Sequence, residues 1–152
     1  MTRTRRIACA GCALLVAGAV YLRDPPWAGQ ITSGLRTWEK DRRLGTPFRW
    51  TAGRASFFVP REARTMTLPL RAGFPGPNGS PVTVSVSVDD RWLADIELGQ
   101  PEEWVRRPLP LPANATSRRF RRVDLHVSRT YVGVFILGVQ TGEIELETGP
   151  RD

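Results

Sequence analysis

Apolar and polar residues alternate with a period of two along most of the chain beyond residue 48. The clearest case is Pro81–Leu98. Val82, Val84, Val86 and Val88 alternate with Thr83, Ser85 and Ser87, which marks a half-buried strand. After Asp89-Asp90-Arg91 a second alternation sets Trp92, Ala94, Ile96 and Leu98 against Leu93, Asp95 and Glu97. A two-residue turn at Asp89-Asp90 would oppose Val84 to Asp95 and Val82 to Glu97. A three-residue turn pairs Val88 with Trp92, Val86 with Ala94, Val84 with Ile96 and Val82 with Leu98. Ser85–Asp95 and Thr83–Glu97 then share the other face. The pattern predicts that hairpin, with Trp92 in the core.

Further strands follow from the same reading. Ala55–Val59 is a short apolar run closed by Pro60. Thr65–Leu70 places Met66, Leu68 and Leu70 on one side, and Pro69 argues for a sheet edge. Ala72–Pro81 is a Gly/Pro-rich exposed loop. Trp104–Pro112 alternates leucines with prolines, again an edge. Arg119–Ser128 turns Val123, Leu125 and Val127 inward and Arg122, Asp124 and His126 outward. Tyr131–Val139 is apolar on both faces, as in a central strand covered from both sides. Glu143–Glu147 sets Ile144 and Leu146 inward. About eight strands at short spacing predict a mainly β fold, an antiparallel β-sandwich of jelly-roll or Greek-key type.

Upstream the pattern changes. Ile31, Leu35 and Trp38 recur at four and three, which predicts a short amphipathic helix within Trp27–Leu44, closed by Gly45. At the N-terminus, Arg3, Arg5 and Arg6 precede Ile7–Leu22, 16 residues without a charge. Such a segment directs export. As an anchor it would reach about 24 Å of the ~30 Å hydrocarbon core, with Arg6 and Arg23 snorkelling. As a cleaved signal it would be cut near Ala19, in Ala17-Gly18-Ala19. The expected organisation is a signal-anchor or signal peptide over 1–23, a juxtamembrane helix or linker over 24–47 and a β-sandwich domain over 48–148. The expected location is the cell membrane, single-pass through residues 7–22 with the C-terminal domain extracytoplasmic. The alternative is a periplasmic or secreted protein.

Composition narrows the function. Of the net charge of +7, the residues beyond Arg23 carry only +3, with 18 basic against 15 acidic. No coherent basic face for nucleic acid follows from that. Cys9 and Cys12 both lie in the N-terminal stretch, so no disulfide staples the body. His126 is the only histidine. With Asp124 and Ser128 on the same strand it reads as a solvated edge rather than a catalytic set, and no enzyme activity is expected. No cofactor is expected; Asp89 and Asp90 at the hairpin tip are weak candidates for structural Ca²⁺. Arg118, Arg119, Arg121 and Arg122 read as a salt-bridged or solvated face. Trp50 and Trp104, at strand starts near polar residues, suit a platform for stacking on sugar rings.

The strand patterns at Phe57–Val59, Met66–Leu70, Val82–Leu98 and Leu137–Leu146 resemble galactose-binding-like jelly-roll modules of bacterial glycan-active and envelope enzymes. The resemblance covers roughly residues 48 to 147 and rests on strand patterns, without a ligand signature. It implies a ligand site on loops at one end of the sandwich, here Ala72–Pro81 and Gly99–Glu103. Trp50, Trp104, Asn78, Arg106 and Glu102 are the candidate ligand-binding residues. The expected function is a non-catalytic module that binds a carbohydrate or another cell-envelope component. The alternative is a protein-interaction subunit docked on a membrane or envelope enzyme, without sugar.

Overall fold

A computed structural model of the protein describes residues 3–101, 103–113 and 118–149. Helix α1 (Arg3–Arg23) comes first, with Leu14, Leu15, Val16, Val20, Tyr21 and Leu22 all exposed. No helix among the described residues is long and apolar enough to cross a membrane, so the single-pass anchor expected from the sequence has no spanning helix here. Among the described residues twelve strands follow: β1 (Thr32–Leu35), β2 (Glu39–Lys40), β3 (Pro47–Pro60), β4 (Ala63–Arg71), β5 (Val82–Val88), β6 (Arg91–Leu98), β7 (Val105–Pro110), β8 (Phe120–Val127), β9 (Tyr131–Val132), β10 (Ile136–Leu137), β11 (Gln140–Thr141) and β12 (Glu145–Thr148). All their pairings are antiparallel.

Strand β3 belongs to two layers. Its C-terminal half, Arg54 to Pro60, pairs with β8 and also with β1. Beyond β8 lie β5 and then β6. Its N-terminal half pairs with β2 and β11, and β4 continues that layer with β11 and β12 on one side and β7 on the other. Phe57, Val84, Val86, Ile96, Val123 and Leu125 from the first layer share one core with Met66, Leu68, Leu70, Leu109 and Val139 from the second. Strands that share no hydrogen bonds can pool these side chains only by facing each other, which defines a sandwich. Thr51, fully buried, fixes the crossing point. Its N–H donates to the Val139 carbonyl at 2.8 Å, its carbonyl accepts the Gly138 N–H at 2.7 Å, and its hydroxyl accepts the Val139 N–H at 2.9 Å. A Cβ at Gly138 would lie 2.5 Å from both the Ala52 carbonyl oxygen and the Thr51 hydroxyl, so only glycine allows this approach.

Five expectations are corrected. The hairpin matches from Val82–Leu98 through Val86–Ala94, but its tip differs: Ser87 pairs with Trp92 and Val88 with Arg91. Asp89 (φ 51) and Asp90 (φ 62) make a two-residue left-handed turn whose hand suits the strand twist. A bulge at Leu93 absorbs the register change, so Leu93 packs on the core and Trp92 turns outward, 69% exposed. The helix expected within Trp27–Leu44 is replaced by a 3-10 turn (Pro26–Gln30), β1 and β2. Gly34 (φ 65) lets the backbone lie against Arg54 and Ala55, and pairing along β3 prevails over the helical spacing.

Tyr131–Val139 is not a central strand. β9 and β10 pair only with each other among the described residues and project outward, with Val134 93% exposed. Pro69 is not at an edge, because β4 is paired on both sides. Its carbonyl accepts the Gly142 N–H at 2.9 Å. Its missing N–H therefore faces the irregular gap between β11 and β12, where no ladder bond is lost. Leu146 lies exposed rather than inward. By contrast β7, with Pro108 and Pro110, pairs only with β4 among the described residues, as the edge reading expects.

Replacing Thr51 with Val keeps the volume but orphans the buried Val139 N–H. We expect a loss of about 1–3 kcal/mol in urea unfolding. A change below about 0.5 kcal/mol, the range of ordinary surface substitutions, would show that the crossing does not depend on this hydroxyl.

Candidate functional site

The outer face of the first layer carries polar side chains in register across five strands. One row runs Trp92 (β6), Ser87 (β5), Asp124 (β8), Ser56 (β3) and Ser33 (β1). A second runs Asp95 (β6), Ser85 (β5), His126 (β8) and Arg54 (β3). Each is the outward half of an alternation whose inward half forms the core, so burial of the valines dictates this display. Strand spacing sets neighbours in a row about 5 Å apart and the rows about 7 Å apart. The face encloses an open groove of about 430 Å³, lined by both rows except Asp95, which lies at its margin, and also by Asp90 and Arg122. That size suits a small organic ligand.

Internal bonds hold several of these groups in place. The Arg122 guanidinium meets the Asp124 carboxylate at 2.7 Å. Trp92 Nε1 donates to Asp95 Oδ1 at 3.3 Å. Hydrogen bonds from Ser85 and Trp92 hold the Asp95 carboxyl below the usual carboxylate range. The indole is therefore tied at its edge. The site offers hydroxyls, a carboxylate, a guanidinium and an imidazole beside an exposed indole, which suits hydrogen bonding to a polyhydroxylated ligand and stacking on its apolar face. Asp124 is held by Arg122, and the Ser128 hydroxyl accepts the Thr83 N–H at 2.9 Å.

The residues singled out in the sequence fall elsewhere. Trp50 is half-buried and stacks on Phe74 (5.5 Å between ring centres), which stacks on Tyr131 (4.4 Å). It is committed to packing, and a Cβ at Gly73 would collide with it. Asn78 sits exposed in a tight turn at φ 56, apart from Trp50's stack. Trp104 and Arg106 do come together, in a cleft with Glu143 and Glu145, where Arg106 pairs with Glu145. However, the Arg71 guanidinium covers Trp104 at 4.7 Å, and its indole N–H is buried without a partner among the described residues. Glu102 lies outside the described residues. The Asp89 carboxylate accepts the Arg122 N–H at 3.0 Å and Arg121 Nε at 3.2 Å. No cluster of three or more His, Cys, Asp or Glu among the described residues could hold a metal. The two loops implied by the resemblance do meet, through a bridge between Ala72 and Pro101.

The groove itself had been half visible. Ser85, Ser87, Asp124 and His126 read as outward from the sequence, but Trp92 was assigned to the core. Ser33 and Ser56 join them only through the β1–β3 and β3–β8 pairings, which no local pattern announces.

No protein-family model matches the sequence, and no curated protein matches it either. Solved structures similar to this chain include carbohydrate-binding modules. One is the C-terminal CBM6 of LamC, a marine laminarinase from Zobellia galactanivorans, at 10% identity and a TM-score of 0.43, covering 75% of this chain and 88% of that one. Another is a family 35 carbohydrate binding module from an environmental isolate, at 19% identity and 0.40, covering 77% and 93%. The third is BtGH115A, a family GH115 4-O-methyl-α-glucuronidase with specificity for decorated arabinogalactans, at 10% and 0.45; the match covers 79% of this chain but 18% of that one. At TM-scores below 0.5 these likenesses decide nothing about a ligand.

Two outcomes test the site's physics. Trp92→Ala should change unfolding free energy by no more than about 0.5 kcal/mol, as for an exposed side chain; a loss above about 2 kcal/mol would return Trp92 to the core. Asp41 accepts the Arg43 and Leu44 N–H groups and pairs with Arg71 at 2.9 Å, and those interactions, the Arg43 bond foremost, lower its pKa. A lowered folded pKa gives stability that is full above the ordinary aspartate value of about 4 and is lost as pH falls through the folded value. Asp41→Asn should therefore flatten the acid limb of the stability–pH curve, measured by thermal unfolding between pH 2 and 6. An unchanged limb would assign the acid loss to other carboxylates.

Proposed function

We propose that the body is a non-catalytic binding module whose outer groove takes a carbohydrate, with Trp92 as the stacking platform. The observation that carries this is a large apolar ring, 69% exposed, at the head of a register-matched row of hydroxyl and charged groups. Exposing an indole forgoes its burial energy, of the order of 1.5–3 kcal/mol for a large apolar side chain. A ligand that covers the ring recovers it. Ser33, Ser56, Ser85 and Ser87 offer donors and acceptors, and Arg54 and Asp124 supply the charge-assisted bonds. A non-catalytic role is supported by the way Asp124 and Ser128, the polar residues flanking His126 on its strand, are already bonded, to Arg122 and to the Thr83 N–H.

The reading extends to place. The Arg-headed α1, with Leu14, Leu15, Val16 and Leu22 exposed, supports export across the cytoplasmic membrane, where glycans of the envelope are met. The mass of the mature N-terminus would separate cleavage near Ala19 from retention.

Calorimetric titration against a panel of neutral and acidic oligosaccharides tests the groove. Trp92→Ala should weaken any binding about tenfold, corresponding to one lost aromatic stacking contact. Arg54→Ala should weaken it as well, and Trp104→Ala should leave it unchanged. Binding that survives Trp92→Ala but is lost in Trp104→Ala would move the site to the Glu143–Glu145 cleft. No binding by the folded protein across the panel would overturn the reading.

A further inference from the structure

The hairpin of β9 and β10 contributes almost nothing to the core, yet it gathers the densest exposed apolar surface of the body. Tyr131, Val132, Val134, Phe135 and Ile136 are each more than half exposed. The Gly133 N–H donates to the Phe135 carbonyl at 3.1 Å, which closes the tip around Val134. The tip is braced from behind. Arg36 lies over the Phe135 ring at 4.0 Å, and Tyr131 stacks on Phe74 at 4.4 Å, which in turn stacks on Trp50. Arg129 stands at its base, bonded to the Ser80 hydroxyl at 2.6 Å. From Leu125 to Gly142 the chain carries Arg129 and His126 but no acidic residue.

We propose that this hairpin docks on an anionic lipid surface. Val134, Phe135 and Ile136 enter the boundary between headgroups and acyl chains, and Arg36 and Arg129 meet lipid phosphates. Charge complementarity selects this occupant. A second copy placed hairpin to hairpin would bring the arginines together without a counter-charge. A protein partner normally answers a mixed polar rim with about one hydrogen bond per 100–200 Å², and here only Tyr131 among the tip side chains can make one. The open edges of the two short strands remain at headgroup depth, where water satisfies their backbone groups, because unpaired edges do not occur in the hydrocarbon region. α1 joins the body beside Arg119, at the start of β8, whereas the hairpin follows the end of β8. The two apolar elements are thus separate, and the docking is the hairpin's own.

The full chain with Cys9 and Cys12 changed to Ser, and Val134→Cys carrying an environment-sensitive fluorophore, tests this directly. Val134 is 93% exposed, so the substitution leaves the fold intact. Vesicles of phosphatidylcholine with phosphatidylglycerol should shift the emission to the blue, and phosphatidylcholine alone should shift it far less. The same label in place of the exposed Glu143 should not respond. Arg129→Ala should weaken the vesicle affinity about fivefold, the weight of one cation near an anionic surface. No shift at residue 134, an equal shift at 143, indifference to lipid charge, or a shift on raising protein concentration without vesicles would each overturn the proposal. The last outcome would identify self-association instead.

Discussion

The single crossing of β3 from one layer to the other is the constraint on which the rest depends. A 14-residue strand cannot stay flat in a twisted sandwich. It is divided where Thr51 is gripped by Gly138 and Val139 through three hydrogen bonds. On one side of that grip, Phe57 and Val59 look into the core. On the other, Arg49 and Trp50 pair in register with β11. The grip requires a residue without Cβ at 138 and a hydroxyl at 51. Neither requirement can be read from alternation, because both arise between segments 88 residues apart.

The first layer's outer face is a consequence of that division. Once Arg54 to Pro60 lies against β8, the inward positions of β3, β8 and β5 fall in line, and so do the outward ones. The core valines and the groove serines are therefore two readings of one register. A slip of one residue would exchange them. This coupling explains why a polar face can be laid out in straight rows. The interior fixes it from beneath.

Much of this was legible in the sequence, and the errors share one cause. Period-two alternation identified β4, β5, β6 and β8 and, the tip of β6 apart, their inward residues, because the alternation is set by a local choice between core and water. It failed where the covering partner was remote. Ile31, Leu35 and Trp38 have helical spacing, but an open edge of β3 captured the segment as a strand. The run Tyr131–Val139 is apolar on both faces, yet among the described residues no strand outside its own hairpin pairs with its first half; sequence shows what a segment can bury, not what arrives to bury it. At the β5–β6 tip, Asp tolerates the left-handed region, and Arg121 and Arg122 reward it there by bonding Asp89. That shortened the turn and reversed Trp92. The groove is hidden from the sequence with it, since alternation alone turns that indole toward the core.

The aromatic residues show why Trp92 differs from the tryptophans that the sequence favoured. Trp50 gives a face to Phe74, Trp104 gives one to Arg71, and Trp38 gives one to Arg49. Arg71 is itself held by Asp41 at 2.9 Å and Gln140 at 2.6 Å, so the Trp104 stack is fixed in a nearly buried network. Opening any of these faces to a ligand would break an existing stack, with a cost comparable to what the ligand returns. Among the described residues Trp92 is bonded only through its ring edge, to Asp95. That bond restricts rotation of the indole without covering it. A ligand would then face a ring already oriented and would displace nothing but water, which is the economical arrangement for recognition.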